Sequence, residues 1–117
     1  MPDESLKIRP ATEADVQLIV EFIRALAEYE KLLDEVVATE EIVLESLFGE
    51  QPAAEALIGE WEGEPVAFAV YFENFSTFMG RSGLYLEDLF VKPEYRKRGI
   101  GKLMLKHLAK IAVVRGC

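Results

Sequence analysis

Apolar residues recur along this chain with two different periods, and the switches between them outline the elements. Leu6-Lys7-Ile8-Arg9 alternates and stops at Pro10, which predicts a short first strand. Thr12 with Asp15 three residues on has the form of a helix capping box. Val16, Ile19, Val20, Ile23, Leu26 and Ala27 then keep a helical stripe to about Tyr29, whose plain meaning is core packing. Lys31–Ala38 reads as a linker of acidic character. Thr39 is a second N-cap, followed by Glu40 and Glu41 in the first turn, where the helix dipole favours negative charge. Ile42, Val43, Leu44, Leu47 and Phe48 supply an apolar face, and Gly49 is the glycine expected just past a helix end.

The period then changes. Ala56–Trp61 reads as a strand, Glu62-Gly63-Glu64-Pro65 as a turn, and Val66–Phe72 as a strand that is apolar on both faces and so central in its sheet. Asn74–Gly83 reads as a loop, and Leu84–Val91 as a third such strand, interrupted by the adjacent carboxylates Glu87 and Asp88. After a turn at Lys92–Tyr95, a helix runs from Gly99 to about Val114, about 24 Å long at 1.5 Å per residue, with Gly116 as its cap. No segment repeats another.

Composition narrows the options. A chain of 117 residues, half of them hydrophobic, makes one packed domain. One cysteine excludes an intrachain disulfide and a Cys-rich zinc site, and one histidine argues against a histidine-built metal site. No apolar run approaches the roughly 20 residues of a membrane span. The acidic start Met1-Pro2-Asp3-Glu4-Ser5 is not a secretory signal, so a cytoplasmic setting is expected. The net charge of −8 conceals a division. Lys92–Cys117 holds eight basic residues and one acid, Glu94, whereas residues 1–91 hold twenty acids and five basic residues. One end of the chain is built to meet an anion and the remainder to attract a cation. That balance disfavours a bulk nucleic-acid binder, even one using Lys92–Arg115.

Three clusters carry candidate chemistry. Arg96-Lys97-Arg98-Gly99-Ile100-Gly101-Lys102 follows a strand and opens a helix. A helix start offers unpaired N–H groups, glycines let a phosphate approach the backbone, and a pyrophosphate is the natural guest. The spacing is neither the dinucleotide fingerprint nor the P-loop, and a basic hinge is the simpler alternative. Glu87-Asp88 inside an apolar strand is either a structural ion pair or cap, or a pair that holds an ammonium or accepts its proton. Neighbours in a strand face opposite sides, so one carboxylate enters each layer unless the strand is irregular. Glu28-Tyr29-Glu30, with Asp34 and Glu35 beyond, reads first as a solvated helix end. His107 falls at a packing position, and Cys117 has no base partner beside it in the sequence.

At this point the residues resemble a known family. Arg96-x-x-Gly99-x-Gly101 after the strand Leu84–Val91 is similar to the acetyl-CoA motif [QR]-x-x-G-x-[GA] of the GNAT superfamily of N-acetyltransferases, and Ile8-Arg9-Pro10-Ala11-Thr12-x-x-Asp15 to its opening. Leu26-Ala27-x-Tyr29-Glu30, Phe48-Gly49-Glu50, Leu84-Tyr85-Leu86-Glu87-Asp88-x-Phe90-Val91 and Tyr95-Arg96-x-x-Gly99-Ile100-Gly101 resemble the diamine, or spermidine/spermine, subfamily, which also contains enzymes acting on thialysine. The resemblance spans essentially the whole chain.

It implies an α/β fold with a mixed, mostly antiparallel central sheet and helices on both faces. It also implies direct transfer of acetyl from acetyl-CoA to a primary amine, such as a diamine or polyamine. By position, Leu89, Phe90 and Val91 would line the pantetheine arm and polarise the thioester carbonyl through backbone N–H groups. Arg96 and the segment Lys97, Arg98, Gly99, Ile100, Gly101 and Lys102 would cradle the pyrophosphate. Glu87 would hold or deprotonate the amine as the catalytic residue, and Tyr29 and Glu30 would contact it. Two features depart from the family: Glu28 stands where its polyamine enzymes often carry lysine, and Thr77-Phe78-Met79-Gly80 differs in length and character. The family continues past this point with further strands, a helix and a tyrosine general acid. Residues 1–117 are therefore expected to be an acetyltransferase domain truncated at its C-terminal end. A non-catalytic acyl-CoA-binding module is the alternative, and the oligomeric state stays open, a homodimer included.

Overall fold

The computed structural model describes residues 5–117, so the acidic start Met1–Glu4 lies outside the described residues. The chain runs β1 (Leu6–Pro10), α1 (Val16–Tyr29), α2 (Glu40–Phe48), β2 (Glu55–Trp61), β3 (Glu64–Ser76), β4 (Arg81–Val91) and α3 (Ile100–Arg115). Single 3-10 turns precede α1, join α1 to α2, and follow β4 at Pro93–Tyr95. Among the described residues the strands form one sheet in the order β1-β2-β3-β4, with every pair antiparallel.

Helices cover both faces of the sheet. On one side α3 sets Ile100, Met104 and Leu108 against Leu6, Leu57, Ala67 and Ala69. On the other, α1 and α2 set Val16, Ile19, Phe22 and Val43 against Ile58, Phe68 and Phe90. The Phe22 and Phe68 rings stack at 5.1 Å, and Phe90 meets Phe22 edge-on at 6.2 Å. α3 comes close at Gly59, where a Cβ would lie 3.2 Å from the Met104 sulfur and 3.3 Å from the Ala67 Cβ of the neighbouring strand.

The entry to α1 is fastened electrostatically. Thr12 N–H donates to Asp15 Oδ2 at 2.8 Å, and Arg9 reaches the same carboxylate with two bonds of 2.7 and 2.9 Å. These contacts hold the buried Asp15 carboxyl below the usual range, chiefly through the Arg9 bond, with burial opposing. At α2, the Thr39 hydroxyl accepts from Ile42 N–H at 3.2 Å, as its sequence position suggests.

Three expectations are corrected. The face drawn across α2 is too wide: Val43 is buried, while Ile42 and Leu44, each about 100° to one side of it, are exposed. Gly49 ends α2 in extended backbone (φ −76°); crowding from the Glu45 carbonyl, 2.5 Å from a built Cβ, accounts for the glycine. Most of the presumed loop Asn74–Gly83 is strand, since Asn74 pairs with Gly83 and Ser76 with Arg81. Only Thr77–Gly80 turns, closed by Gly80 N–H to the Ser76 carbonyl at 2.8 Å. Gly116 does cap α3 in the left-handed conformation, φ 77°.

Candidate active site

The segment from β4 into α3 builds the site. β4 ends at Val91, the 3-10 turn reverses the chain, and Lys97 and Gly99 adopt left-handed backbone, φ 68° and 79°. The first bond of α3 runs from Leu103 N–H to the Gly99 carbonyl at 3.0 Å. The N–H groups of Ile100, Gly101 and Lys102 therefore lie ahead of the helical ladder, at the positive end of its dipole. A Cβ on Gly101 would meet nothing within 4 Å. Internal packing therefore does not require glycine there; the open space suits a group approaching from outside, as a phosphate would.

A cleft of about 550 Å³ opens beside this helix start. Its wall combines Leu26, Tyr29 and Glu30 from the end of α1, Leu89, Phe90 and Val91 from β4, and Tyr95, Arg96, Lys97, Gly99, Ile100 and Gly101 from the turn and α3. The sequence-selected residues Tyr29, Glu30, Leu89, Phe90, Val91, Arg96, Lys97, Gly99, Ile100 and Gly101 thus share one surface. Leu26 and Tyr95 join them; the sequence offered both as parts of family-like segments, not as site residues. Leu26 lies one turn before Tyr29 on the same face of α1, a helical spacing that signals it. A hollow of similar size, about 530 Å³, is walled by the end of α2 with β2 and β3. It lies away from the glycine-spaced loop.

Arg98, Lys102 and Glu87 fall outside that wall, and Arg96, within it, turns its side chain to protein partners. Arg98 lies outside the cleft wall, its guanidinium 5.2 Å from the Trp61 ring and 4.9 Å from the Tyr95 ring. Arg96 points to the opposite side of the sheet, 4.4 Å from the Tyr29 ring and 5.4 Å from the Phe90 ring, with Nε donating to the Val91 carbonyl at 2.8 Å. Lys102 is exposed on the first turn of α3.

Glu87 occupies a β-bulge. Val70 pairs with Asp88 and Tyr71 with Leu86, which leaves Glu87 as the extra residue. Glu87 is exposed and Asp88 half-buried. The Asp88 carboxyl is pushed up, first by burial and then by the charges of Glu87 and Glu30. The charges of Glu87 on the same strand and Glu30 at the end of α1 thus both reach Asp88, next to the strand residues that line the cleft. Asp88 was visible only as half of an acidic dipeptide; its link to Glu30 depends on how α1 packs against β4.

This arrangement sets an open, glycine-spaced helix start beside an acidic margin, and comparison with known proteins gives the chain a family. The acetyltransferase (GNAT) family profile matches residues 20–117. The bovine (Bos taurus) thialysine N-epsilon-acetyltransferase is 44% identical over 118 residues, covering 94% of this chain and 69% of that protein. A human (Homo sapiens) spermidine/spermine N(1)-acetyltransferase-like protein 1 is 35% identical over 118 residues, covering 95% of this chain and 17% of that protein. Among solved structures, an aminoglycoside acetyltransferase from an uncultured soil metagenomic sample, in complex with sisomicin, superposes with a TM-score of 0.82 at 18% identity. It covers 99% of this chain and 75% of that one, a likeness of fold.

The chain belongs to the GNAT acetyltransferase family. It is an acetyl-CoA-dependent N-acetyltransferase of amines, which sets aside the reading as a non-catalytic acyl-CoA-binding module. Among the described residues no helix is long and apolar enough to cross a membrane.

Proposed function

We propose that the substrate is a small primary amine carrying a second positive charge, of the diamine, polyamine or thialysine kind, and that Glu30, Glu87 and Asp88 receive it. The observation that carries this reading is the raised Asp88 carboxyl, whose causes include both acidic neighbours. Carboxylates that repel one another gain most from an arriving cation. The names of two relatives, specifying thialysine and spermidine/spermine, point to the same substrate class.

Bound acetyl-CoA supplies the acetyl group as a thioester. The orphan N–H groups of Ile100–Lys102, with Lys97 and Lys102 beside them, hold its pyrophosphate. β4 pairs only with β3 among the described residues, so N–H groups on its free side remain for the pantetheine arm and the reacting carbonyl near Leu89–Val91. The amine arrives as an ammonium, with a pKa of about 10.4 if it resembles lysine, and an ammonium has no lone pair. Glu87, exposed on the bulge, takes that proton directly or through water, and Glu30 and Asp88 hold the second charge. Transfer is direct, in a complex of both substrates: the amine nitrogen bonds to the acetyl carbonyl carbon, the carbon–sulfur bond breaks, and coenzyme A leaves as its thiolate. The expected setting is the cytoplasm, and sedimentation of the purified protein tests for a homodimer.

Steady-state kinetics with a diamine, thialysine and a neutral-tailed monoamine of equal length test the reading. The two doubly charged amines are expected to win by about tenfold or more at low salt, an advantage that shrinks as ionic strength rises. Equal kcat/KM values at all salt concentrations would refute it.

A further inference from the structure

We propose that Arg96 is a positioning residue, which pins the end of α1 to the loop before α3, and that its charge is not a ligand of the pyrophosphate. The protein engages this side chain both at its Nε and at the face of its guanidinium. Its Nε donates to the Val91 carbonyl at 2.8 Å, reaching back across the 3-10 turn to the last residue of β4. Its guanidinium centre lies 4.4 Å from the Tyr29 ring centroid and 5.4 Å from that of Phe90. Its backbone N–H is spent on the Pro93 carbonyl at 3.2 Å. Arg96 is half-buried, whereas Lys97 and Lys102 are exposed and better placed to meet an anion.

The residue it fastens matters. Tyr29 closes α1, and the next residues, Glu30 and the left-handed Lys31 (φ 61°), leave the helix. Tyr29 is 63% exposed, so the guanidinium is a main tether of its ring. Arg96 therefore joins the wall that carries Tyr29 and Glu30 to the loop that carries the glycines. A change of order on one side is felt on the other. The arrangement requires arginine rather than positive charge alone. A lysine has neither a planar face to lie on the ring nor a second nitrogen to hold the carbonyl.

The kinetic part of the test rests on the reading that Tyr29 and Glu30 meet the amine; the exchange part does not. Arg96→Lys, Arg96→Gln, Tyr29→Leu and the double variant Arg96→Lys with Tyr29→Leu are compared. The measurements are coenzyme A affinity at two salt concentrations, kcat and KM for a diamine, and hydrogen exchange of the amides of residues 28–32. Arg96→Lys keeps the charge yet is expected to speed exchange at residues 28–32 and to lower kcat/KM about tenfold, mostly through KM, the scale of one lost cation–π contact with its hydrogen bond. Added to Tyr29→Leu it is expected to cost little more, since both remove the same contact. Wild-type exchange and kinetics in Arg96→Lys, with loss of coenzyme affinity and a flatter salt dependence only in Arg96→Gln, would overturn the proposal in favour of a charge ligand. Additive losses in the double variant would overturn it as well. Should Tyr29→Leu keep normal amine kinetics, the amine-wall reading fails. Faster exchange in Arg96→Lys would then still uphold the pin, and unchanged exchange would sink it.

Discussion

Asp88 sits directly opposite Val70 in the sheet, yet the next paired residue of β4 is Leu86, opposite Tyr71. The bulge between them frees Glu87 from the ladder and restores the alternation on both sides of it. Leu86 and Leu89 thus both pack on the α3 face although they stand three positions apart. Without the extra residue, the apolar positions on one side of the bulge would turn to the wrong layer.

Because Glu87 is exposed on an unpaired residue, Glu87→Gln is expected to leave the melting temperature within about 1–2 °C of the parent, as surface changes do. kcat/KM for a diamine is expected to fall by about 10²-fold, the scale of a lost general base, with coenzyme affinity retained. A destabilised variant with normal kinetics would make Glu87 structural.

Asp88→Asn is expected to separate stability from activity. The raised carboxyl means that the folded state holds this proton more tightly than the unfolded chain does, so ionisation costs stability once the pH passes the ordinary carboxylate range. The neutral amide removes that cost, with a gain at pH 7 of about 0.5 kcal/mol, the scale of a like-charge pair. The same change is expected to raise KM for a diamine. Urea titration at pH 7 and pH 4 provides the check: the gain should shrink toward pH 4, where the parent carboxyl takes up its proton.

The two loop glycines are expected to respond differently to alanine. Gly99 has φ 79°, so Gly99→Ala is expected to cost about 1–2 kcal/mol through backbone strain alone. Gly101 is helical with open space around it, so Gly101→Ala is expected to stabilise the fold by about 0.5–1 kcal/mol. The same methyl group would stand where the phosphate approaches, so coenzyme A affinity is expected to drop. Thermal melts with isothermal titration read both effects. A stabilised Gly101→Ala with unchanged affinity would remove the phosphate from this turn.

Asp15→Asn is expected to destabilise by about 2–4 kcal/mol, because it leaves Arg9 without its main partner and weakens the cap of the turn into α1. The folded-state pKa of Asp15 lies below its unfolded value, so its contribution is full above about pH 4, where the unfolded carboxylate ionises. It is lost as acid carries the pH down through the folded pKa. Acid titration of both proteins should show their stabilities converging at low pH.

The sequence by itself determined whatever depends on near neighbours. The stripe Val16–Ala27, the Thr12–Asp15 box, the Thr39 cap and the β-prone run Val66–Phe72 were legible because their signals act within one or two turns or along one strand. The glycine-spaced start of α3 was legible for the same reason, and so was the division of charge at Lys92. Tertiary structure decided the rest. The hairpin reached Ser76 and Arg81 because cross-strand pairing outweighs weak local propensity. Arg96 and Arg98, two residues apart, diverged to opposite faces of the sheet because each found aromatic rings there, Tyr29 and Phe90 for one, Trp61 and Tyr95 for the other. Glu30 and Asp88 came to share an electrostatic environment because α1 packs across β4. Such contacts are set by register and by the packing of layers, and neither is encoded within the span of a single element.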